Sequence, residues 1–355
     1  MRDDKLPPAA QAGHITEALR RAEVLGDAGS VAGVSVETSF ATVLSHIFRL
    51  RLAYDSAGAS APGSLILKAG LLDRPGGPWT GGRQEVAFYN DVASVMRPGL
   101  VPRCFDAQWN SETGEWHLLL EDLGQSHGVA TQWPLPPNAQ QCERIIRARA
   151  RFHAAWWDDA RLGLTIGAWQ DAEAFAQSIA SLAANVERFA AELGDRLSVQ
   201  RRNLYERLLE AAPRLGARYH THKHMTVVQG DAHVWNCFLP LAGGQDNARL
   251  FDWDAWRVDA GSDDLAYMMA LHWYPELRAR MERRLLDCYH EELITHGVAG
   301  YDRQALQEDY RLSVLWQIAT PVWQHAAGIP PLIWWNNFER IHLAARDLGC
   351  LDLLD

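Results

Sequence analysis

The stretch Met225–Trp256 constrains this chain most, because it sets three oxygen-bearing side chains among short apolar runs. Asp231 lies in a loop after a β-like apolar run, and Asn236 follows five residues later, just before a second apolar run. A Gly-Gly pair at Gly243-Gly244 then returns the chain to Asp252. Short strands joined by a Gly/Asn-rich turn predict a hairpin. We therefore expect two carboxylates and one amide to converge.

This set of side chains suits phosphoryl transfer, which needs an acceptor for a hydroxyl proton and Mg²⁺ to neutralise phosphate charge. The sequence resembles the aminoglycoside phosphotransferase and choline kinase-like family, whose motif is H-G-D-x-x-x-x-N followed by I-D-W/F, and most nearly its ecdysteroid kinase-like branch. The resemblance implies ATP as phosphoryl donor, Asp231 as the base that orients an acceptor hydroxyl, and Asn236 and Asp252 as magnesium ligands.

Two positions depart from related motifs. Gln229 stands where the family usually has His, and we interpret its side chain as a brace for the loop; a catalytically silent nucleotide-binding protein therefore stays an alternative. Gly230 stands where protein kinases carry Arg, so the chain has no partner there for an activation-loop phosphate. This argues against a protein kinase.

The nucleotide would be held by residues in the first third of the chain. Lys68 ends an apolar strand, and Glu85 on the following helix is its natural partner, as in the kinase template. By resemblance, Ser45 lies in the loop that covers the phosphates, and Glu121 and Leu123 lie in the hinge that meets adenine. We therefore predict five nucleotide-binding residues in addition to the catalytic motif.

The resemblance implies an α+β, protein kinase-like two-lobed fold, and the order of elements along the chain agrees with it. Residues 1–122 form the N-terminal lobe, an antiparallel sheet with one helix, and residues 123–355 form a mostly helical C-terminal lobe. Periodicity predicts helices over Ile15–Leu25 and Gln140–Trp157. Alternating apolar residues predict strands within 31–54 and over 64–68, 104–109 and 116–120.

The amino-acid composition and net charge limit the classes of partner that we expect this chain to bind. The chain has 355 residues, 48% of them hydrophobic, and a formal net charge of −10, which argues against general affinity for nucleic acid or anionic membrane. Ser313–Asn337 carries no Asp, Glu, Lys or Arg, but its prolines, glutamines and His325 argue against a membrane span. Five scattered cysteines and no apolar N-terminal core predict a cytoplasmic protein. The oligomeric state is not predicted.

A zinc-dependent hydrolase is the rival interpretation. Its candidate zinc ligands are His222, His224, Asp231 and His233, in or just before the catalytic stretch. Histidine and aspartate are residue types that bind zinc, and alternating histidines on a strand could present one face to the ion. These histidines are better explained as exposed residues in the segment that leads to the catalytic loop, because no other zinc-ligand spacing is present. The phosphotransferase is the preferred interpretation.

The acceptor is predicted only by class. Eight of the fifteen tryptophans follow Asp231, and large rings suit the walls of a pocket for a bulky, partly apolar alcohol or an antibiotic, although core packing explains most of them equally well. The sequence leaves the acceptor itself, and ATP versus GTP, open.

Overall fold

The computed structural model describes residues 7–42, 44–55, 61–71, 81–241 and 247–355. The chain forms two compact units, which we call the N unit (Met1–Val129 with Phe238–Ala255) and the C unit (Ala130–Cys237 with Trp256–Asp355). The lobe boundary at residues 122 and 123 stays a prediction. The predicted turn at Gly243-Gly244 lies outside the described residues.

The main sheet of the N unit has five strands in the order β1-β2-β3-β5-β4, and each neighbouring pair is antiparallel. Leu50, Leu65, Leu67 and Leu119 are fully buried, so one face of the sheet covers the core. This agrees with the alternating pattern of the sequence. The strands are β1 (Val31–Ala41), β2 (Ser45–Tyr54), β3 (Ser64–Gly70), β4 (Cys104–Trp109) and β5 (Trp116–Glu121).

Helix α1 (Ala12–Arg21) closes this core with Ile15 and Leu19, both fully buried. The predicted end at Leu25 is wrong, because Glu23 adopts a left-handed conformation with φ 57° that an α-helix cannot continue through. The second helix, α2 (Gly81–Ala87), carries the glutamate predicted to meet the strand lysine.

A smaller sheet in the N unit joins β6 (His127–Val129), β8 (Cys237–Pro240) and β9 (Arg249–Leu250), in the order β6-β8-β9. The two strands predicted on either side of the Gly-Gly turn are therefore neighbours. They lead the chain to Phe251 and Asp252, and Phe251 stacks on Phe238 with ring centroids 4.0 Å apart.

The C unit is mostly helical. Its first helix begins at a capping box, in which Asn138 and Gln141 each bind the other's backbone N–H, and it packs against the long helix that starts at Pro275. Strands β7 (Thr226–Val228) and β10 (Arg257–Asp259) form an antiparallel pair. The helices are α3 (Ala139–Ala155), α4 (Ala172–Leu193), α5 (Val199–Gly216), α6 (Ser262–Leu265), α7 (Pro275–Thr295), α8 (Arg303–Trp316), α9 (Thr320–Ala326) and α10 (Pro331–Asp347).

The charge-free stretch of the sequence falls on the end of α8, on α9 and on the start of α10. Ile318 and Val322 are fully buried in the C unit, so this stretch contributes to a core. Among the described residues, none of the helices combines the length and the apolar character needed to span a bilayer.

Candidate active site

In the N unit, Lys68 on β3 lies between two carboxylates. Its Nζ is 2.7 Å from Oε2 of Glu85 on α2 and 2.6 Å from Oδ1 of Asp252. The antiparallel pairing of β2, β3 and β5 fixes the strand, and Glu85 is only 1% exposed. The structure therefore brings together the predicted lysine, its predicted partner and a predicted magnesium ligand.

The electrostatics of this cluster follow from burial and charge. Burial alone would lower the pKa of Lys68, but the carboxylates of Glu85 and Asp252 outweigh it and raise that pKa above its ordinary value. Burial also raises the pKa of Glu85, against the opposing pull of the Lys68 ammonium. Lys68 is therefore a firmly protonated cation at neutral pH.

The segment that carries Asp252 has an unusual backbone. Asp252 has φ 67°, in the left-handed region that Asp tolerates better than most residues. The next residue, Trp253, is fully buried, stacks on Phe88 at 3.9 Å and donates its indole N–H to the carbonyl of Leu250 over 3.2 Å. This packing holds Asp252 toward Lys68.

A cavity of about 590 Å³ in the N unit includes Lys68, Glu85 and Asp252. Its volume is typical of a site for a small molecule or cofactor. The other predicted nucleotide-binding residues, Ser45, Glu121 and Leu123, also line this cavity.

Ser45 begins β2 and Glu121 ends β5, while Leu123 follows β5 in the chain. The Ser45 hydroxyl lies 3.0 Å from the hydroxyl of Thr42, and a carboxylate oxygen of Glu121 accepts the backbone N–H of Arg103 over 3.0 Å. Leu123 is buried. Their roles in nucleotide binding stay predictions.

In the C unit, Asp231 lies in the loop after β7, and both of its carboxylate oxygens accept hydrogen bonds. Oδ2 accepts the Nδ2 amide of Asn236 over 3.0 Å, and Oδ1 accepts the phenolic hydroxyl of Tyr267 over 2.6 Å. Nε2 of His233 lies 3.6 Å from Oδ2. The predicted base and one predicted metal ligand are thus in direct contact. The convergence of this pair with Asp252 stays a prediction.

Asp264 supports the same loop from beneath. Its carboxylate accepts the backbone N–H groups of Gln229 and Gly230, each over 3.0 Å. Arg149, fully buried on α3, donates to Asp264 over 2.5 Å and to the carbonyl of Ala232 over 3.1 Å. Because Asp264 is 1% exposed and bonded on both oxygens, it fixes the course of the loop.

Burial and neighbouring charges shift the pKa values of Asp264 and His153. Burial raises the pKa of Asp264, but Arg149 and the hydrogen bond from His153 outweigh burial and hold that pKa far below its ordinary value. Burial lowers the pKa of His153, whose other ring nitrogen lies 2.8 Å from the hydroxyl of Tyr289. His153 itself is fully buried in the C unit.

Gln229 is fully buried, and its side-chain amide points toward the carbonyl of Asn236 at 3.5 Å. Its backbone N–H binds Asp264, so the residue ties the start of the loop to the loop's support. This placement fits the predicted bracing role.

The histidines of the rival zinc site have separate surroundings. His222 stacks on Trp169 with ring centroids 4.0 Å apart, whereas His224 lies against Tyr301. Among the described residues, the one group of three metal-ligand types that lie close enough for an ion is elsewhere, in the N unit. The structure therefore gives no support to the predicted zinc set around Asp231.

A second cavity, of about 700 Å³, lies within the C unit and includes Gly230 and Tyr267. Aromatic side chains form much of its wall, namely Trp169, Trp316 and Trp323. Two of these are among the eight tryptophans singled out in the sequence, but Trp253, Trp256 and Trp273 of that set are buried. A polar edge is supplied by Arg257, Asp259 and Asp263.

Three contributors to these sites are not predicted from the sequence. Tyr267 contacts the base from 36 residues away, and Arg149 contacts Asp264 from 115 residues away. Trp169 precedes the stretch in which we counted tryptophans. Arginines in amphipathic helices and tyrosines that follow acidic pairs are common, so neither pattern identifies these residues in the sequence. Only the folded structure reveals their contacts.

The donors present fit a magnesium ion. Asn236 directs its amide nitrogen at both Oδ2 and the main-chain oxygen of Asp231, which leaves its Oδ1 as the atom suited to a hard cation. Asp252 offers a carboxylate on the wall of the N-unit cavity. Oxygen ligands of this kind, few in number and completed by phosphate and water, are what Mg²⁺ selects.

The solved structures that resemble this chain are kinase-like. A candidate aminoglycoside phosphotransferase from Ralstonia eutropha has a TM-score of 0.58 at 16% identity, with 95% of this chain and 98% of that chain covered. Choline kinase LicA from Streptococcus pneumoniae has a TM-score of 0.51 at 11% identity, with 94% and 98% covered. The amicoumacin kinase hAmiN, bound to AMP-PNP and Ca²⁺, has a TM-score of 0.52 at 13% identity, with 93% and 92% covered.

These likenesses confirm the predicted α+β, protein kinase-like fold. The chain also matches the ecdysteroid kinase-like family model over residues 170–298, which confirms the resemblance stated from the motif. A search of the curated proteins finds no match to this chain. The matched range includes Asp231, Asn236 and Asp252.

Proposed function

We propose that this protein is an ATP-dependent phosphotransferase that moves the γ-phosphoryl group of ATP to a hydroxyl of a small molecule. The observation that carries the proposal is Lys68, held by Glu85 and Asp252 in a cavity large enough for a nucleotide. The kinase-like fold and the family match support the class of enzyme.

At the nucleotide, Lys68 provides a fixed positive charge for phosphate oxygens, and Glu85 sets its position. Ser45 lines the same cavity where the resemblance puts the phosphate-covering loop, and Glu121 and Leu123 line it where adenine would meet the backbone. Asn236 and Asp252 would hold Mg²⁺. The ion, when bound, neutralises charge on the transferred phosphoryl group.

At the acceptor, Asp231 orients the attacking hydroxyl. The hydroxyl oxygen forms a bond to the γ-phosphorus while the bond from phosphorus to the β-γ bridging oxygen of ATP breaks, and the hydroxyl proton passes to Asp231. Tyr267 and Asn236 each hold one oxygen of this carboxylate, so the base enters the reaction with its rotamer already selected.

The C-unit cavity supports a bulky, partly apolar alcohol as acceptor. Trp169, Trp316 and Trp323 offer apolar faces, and the polar edge can bind a few polar substituents. Tyr267, which binds the base, also lines this cavity. The proposal leaves ATP and GTP as alternative donors. A cytoplasmic location fits the five free cysteines of the chain.

The test is nucleotide consumption across a library of hydroxylated compounds, with phosphorus NMR to identify the product. We expect Mg²⁺-dependent formation of a phosphate monoester, and a loss of about 10³-fold or more in kcat for Asp231→Asn. Asp27→Asn, at an exposed carboxylate, is the matched control. Binding of ATP without turnover would instead favour the catalytically silent alternative, and zinc-dependent hydrolysis without nucleotide would overturn the proposal.

A further inference from the structure

We propose that His14, Asp106 and His117 form a second metal site, for Zn²⁺ or a similar transition-metal ion, within the N unit. The Nε2 atoms of the two histidines each lie 2.8 Å from the same oxygen, Oδ2 of Asp106. The three candidate ligand atoms all lie within 4.8 Å of one another. None of the three residues takes part in the proposed phosphoryl transfer.

Three separate elements bring these side chains together. In the β4–β5 pairing Gln108 faces His117, so Asp106, two residues from Gln108, presents its side chain on the same face as His117. His14 reaches that face from α1, which packs against β4. The site is therefore set by the sheet register and one helix rather than by a loop.

The carboxylate is prepared for this role. Arg21 donates to the outer oxygen of Asp106, Oδ1, over 2.9 Å, and Gln108 lies within 3.3 Å of both oxygens. Partners of this kind orient a metal-binding carboxylate from behind.

The geometry needs little adjustment to accept an ion. Metal-to-ligand distances of about 2.0–2.1 Å in a tetrahedral zinc site imply ligand atoms about 3.3 Å apart. Each 2.8 Å contact would open by about half an ångström, and the two Nε2 atoms, which lie within 4.8 Å of each other, would take the same spacing. The side chains of His14, Asp106 and His117 are 26%, 8% and 16% exposed, so the cluster is largely shielded yet accessible to an ion.

The donor set also indicates which ion would bind. Two imidazoles and one carboxylate suit Zn²⁺, Co²⁺, Ni²⁺ or Cu²⁺, whereas Mg²⁺ prefers oxygen ligands alone. Three protein ligands leave a fourth position for water. An ion there would bind α1 to the sheet and would stabilise the folded N unit by mass action.

The test is metal binding by the full chain after treatment with a chelator and dialysis. We expect zinc titration followed by calorimetry to reveal a site whose affinity falls at least ten-fold in His14→Gln and His117→Gln. Co²⁺ should give the visible absorption of a four-coordinate complex in the parent protein and lose it in both variants. His46→Gln is the matched control in the same unit, since His46 stacks on Phe48 and is not part of the cluster.

A second control separates this site from the histidines near β7. His222→Gln should leave zinc affinity and the Co²⁺ spectrum unchanged. Melting curves in the presence of chelator establish that each variant is folded, and added Zn²⁺ should raise the melting temperature only where the cluster is intact. Unchanged zinc affinity in folded His14→Gln and His117→Gln, or loss of the spectrum in His222→Gln, would overturn the proposal.

Discussion

Tyr267 donates its hydroxyl to Oδ1 of Asp231 over 2.6 Å, on the opposite oxygen from the one that Asn236 binds. A hydrogen bond to a charged group contributes about 1.5–3 kcal/mol. Tyr267 is therefore a positioning residue for the proposed base, from a segment that carries no motif of its own.

Tyr267→Phe should lower kcat about ten-fold or more and leave the KM for ATP near its original value, because the ring stays and only the hydroxyl is lost. The separation of kcat from KM gives a readout that a general loss of structure would not produce, because such a loss would also weaken ATP binding. Tyr274→Phe is the control, since Tyr274 is exposed and its hydroxyl binds Asn336 rather than Asp231. An unchanged kcat, or a KM for ATP that rises as much as kcat falls, would refute the positioning role.

Lys68→Met should abolish nucleotide binding, measured by calorimetry with an ATP analogue. It should also destabilise the fold by about 3 kcal/mol or more, because Glu85 is left buried without its cation. The double variant Lys68→Met/Glu85→Gln should recover much of that stability in urea unfolding without recovering nucleotide binding. Lys223→Met removes an exposed lysine and should change neither quantity. Equal stability of the single and double variants would contradict this account of the pair.

Arg149→Met should reduce the free energy of unfolding by about 3–5 kcal/mol, because it leaves Asp264 charged and buried beneath the catalytic loop. Urea unfolding measures this loss. Asp27→Asn, on the exposed surface, should stay within about 0.5 kcal/mol of the parent protein. A similar loss of unfolding free energy in both variants would show that the buried Arg149–Asp264 pair contributes no more to stability than an exposed carboxylate does.

The trend of stability with pH should include a contribution from His272. Burial lowers the pKa of this imidazole to about 3, so between pH 6.5 and 3 the unfolded chain binds the proton and the folded chain does not. The free energy of unfolding therefore falls as pH falls through this window, by up to about 1.4 kcal/mol per pH unit from this group. Urea unfolding of His272→Asn across pH should give a shallower slope, whereas exposed His220→Asn should keep the parent slope.

Trp323→Ala should raise the KM for a bulky apolar acceptor about ten-fold and leave the KM for ATP unchanged, because it removes one wall of the C-unit cavity. Steady-state kinetics with two varied substrates measure both constants. Trp133→Ala, at another exposed tryptophan, is the matched control. An equal effect on both constants would argue that Trp323 acts through the fold rather than through the acceptor.

Local patterns in the sequence predict the strands around Lys68, the helix that carries Glu85 and the spacing of Asp231 and Asn236. Each depends on residues close in the chain, where periodicity and turn chemistry are informative. The bond from Lys68 to Asp252 spans 184 residues and depends on tertiary packing, so no local pattern reports it.

Local sequence patterns also do not predict where α1 ends or that Trp169 lines a cavity. The left-handed conformation that stops α1 at Arg21 is not encoded by a glycine or proline, which are the usual sequence signals. Trp169 forms the cavity wall by stacking on His222, 53 residues later in the chain. Both features depend on neighbours that only the folded chain supplies.

The contact of Lys68 with Asp252 implies an order of events. The ammonium of Lys68 occupies one oxygen of Asp252, the aspartate that we assign to magnesium. We therefore expect this carboxylate to have little attraction for a lone divalent ion, and to become a ligand once triphosphate oxygens draw the lysine toward themselves. Mg²⁺ would then bind together with the nucleotide rather than before it.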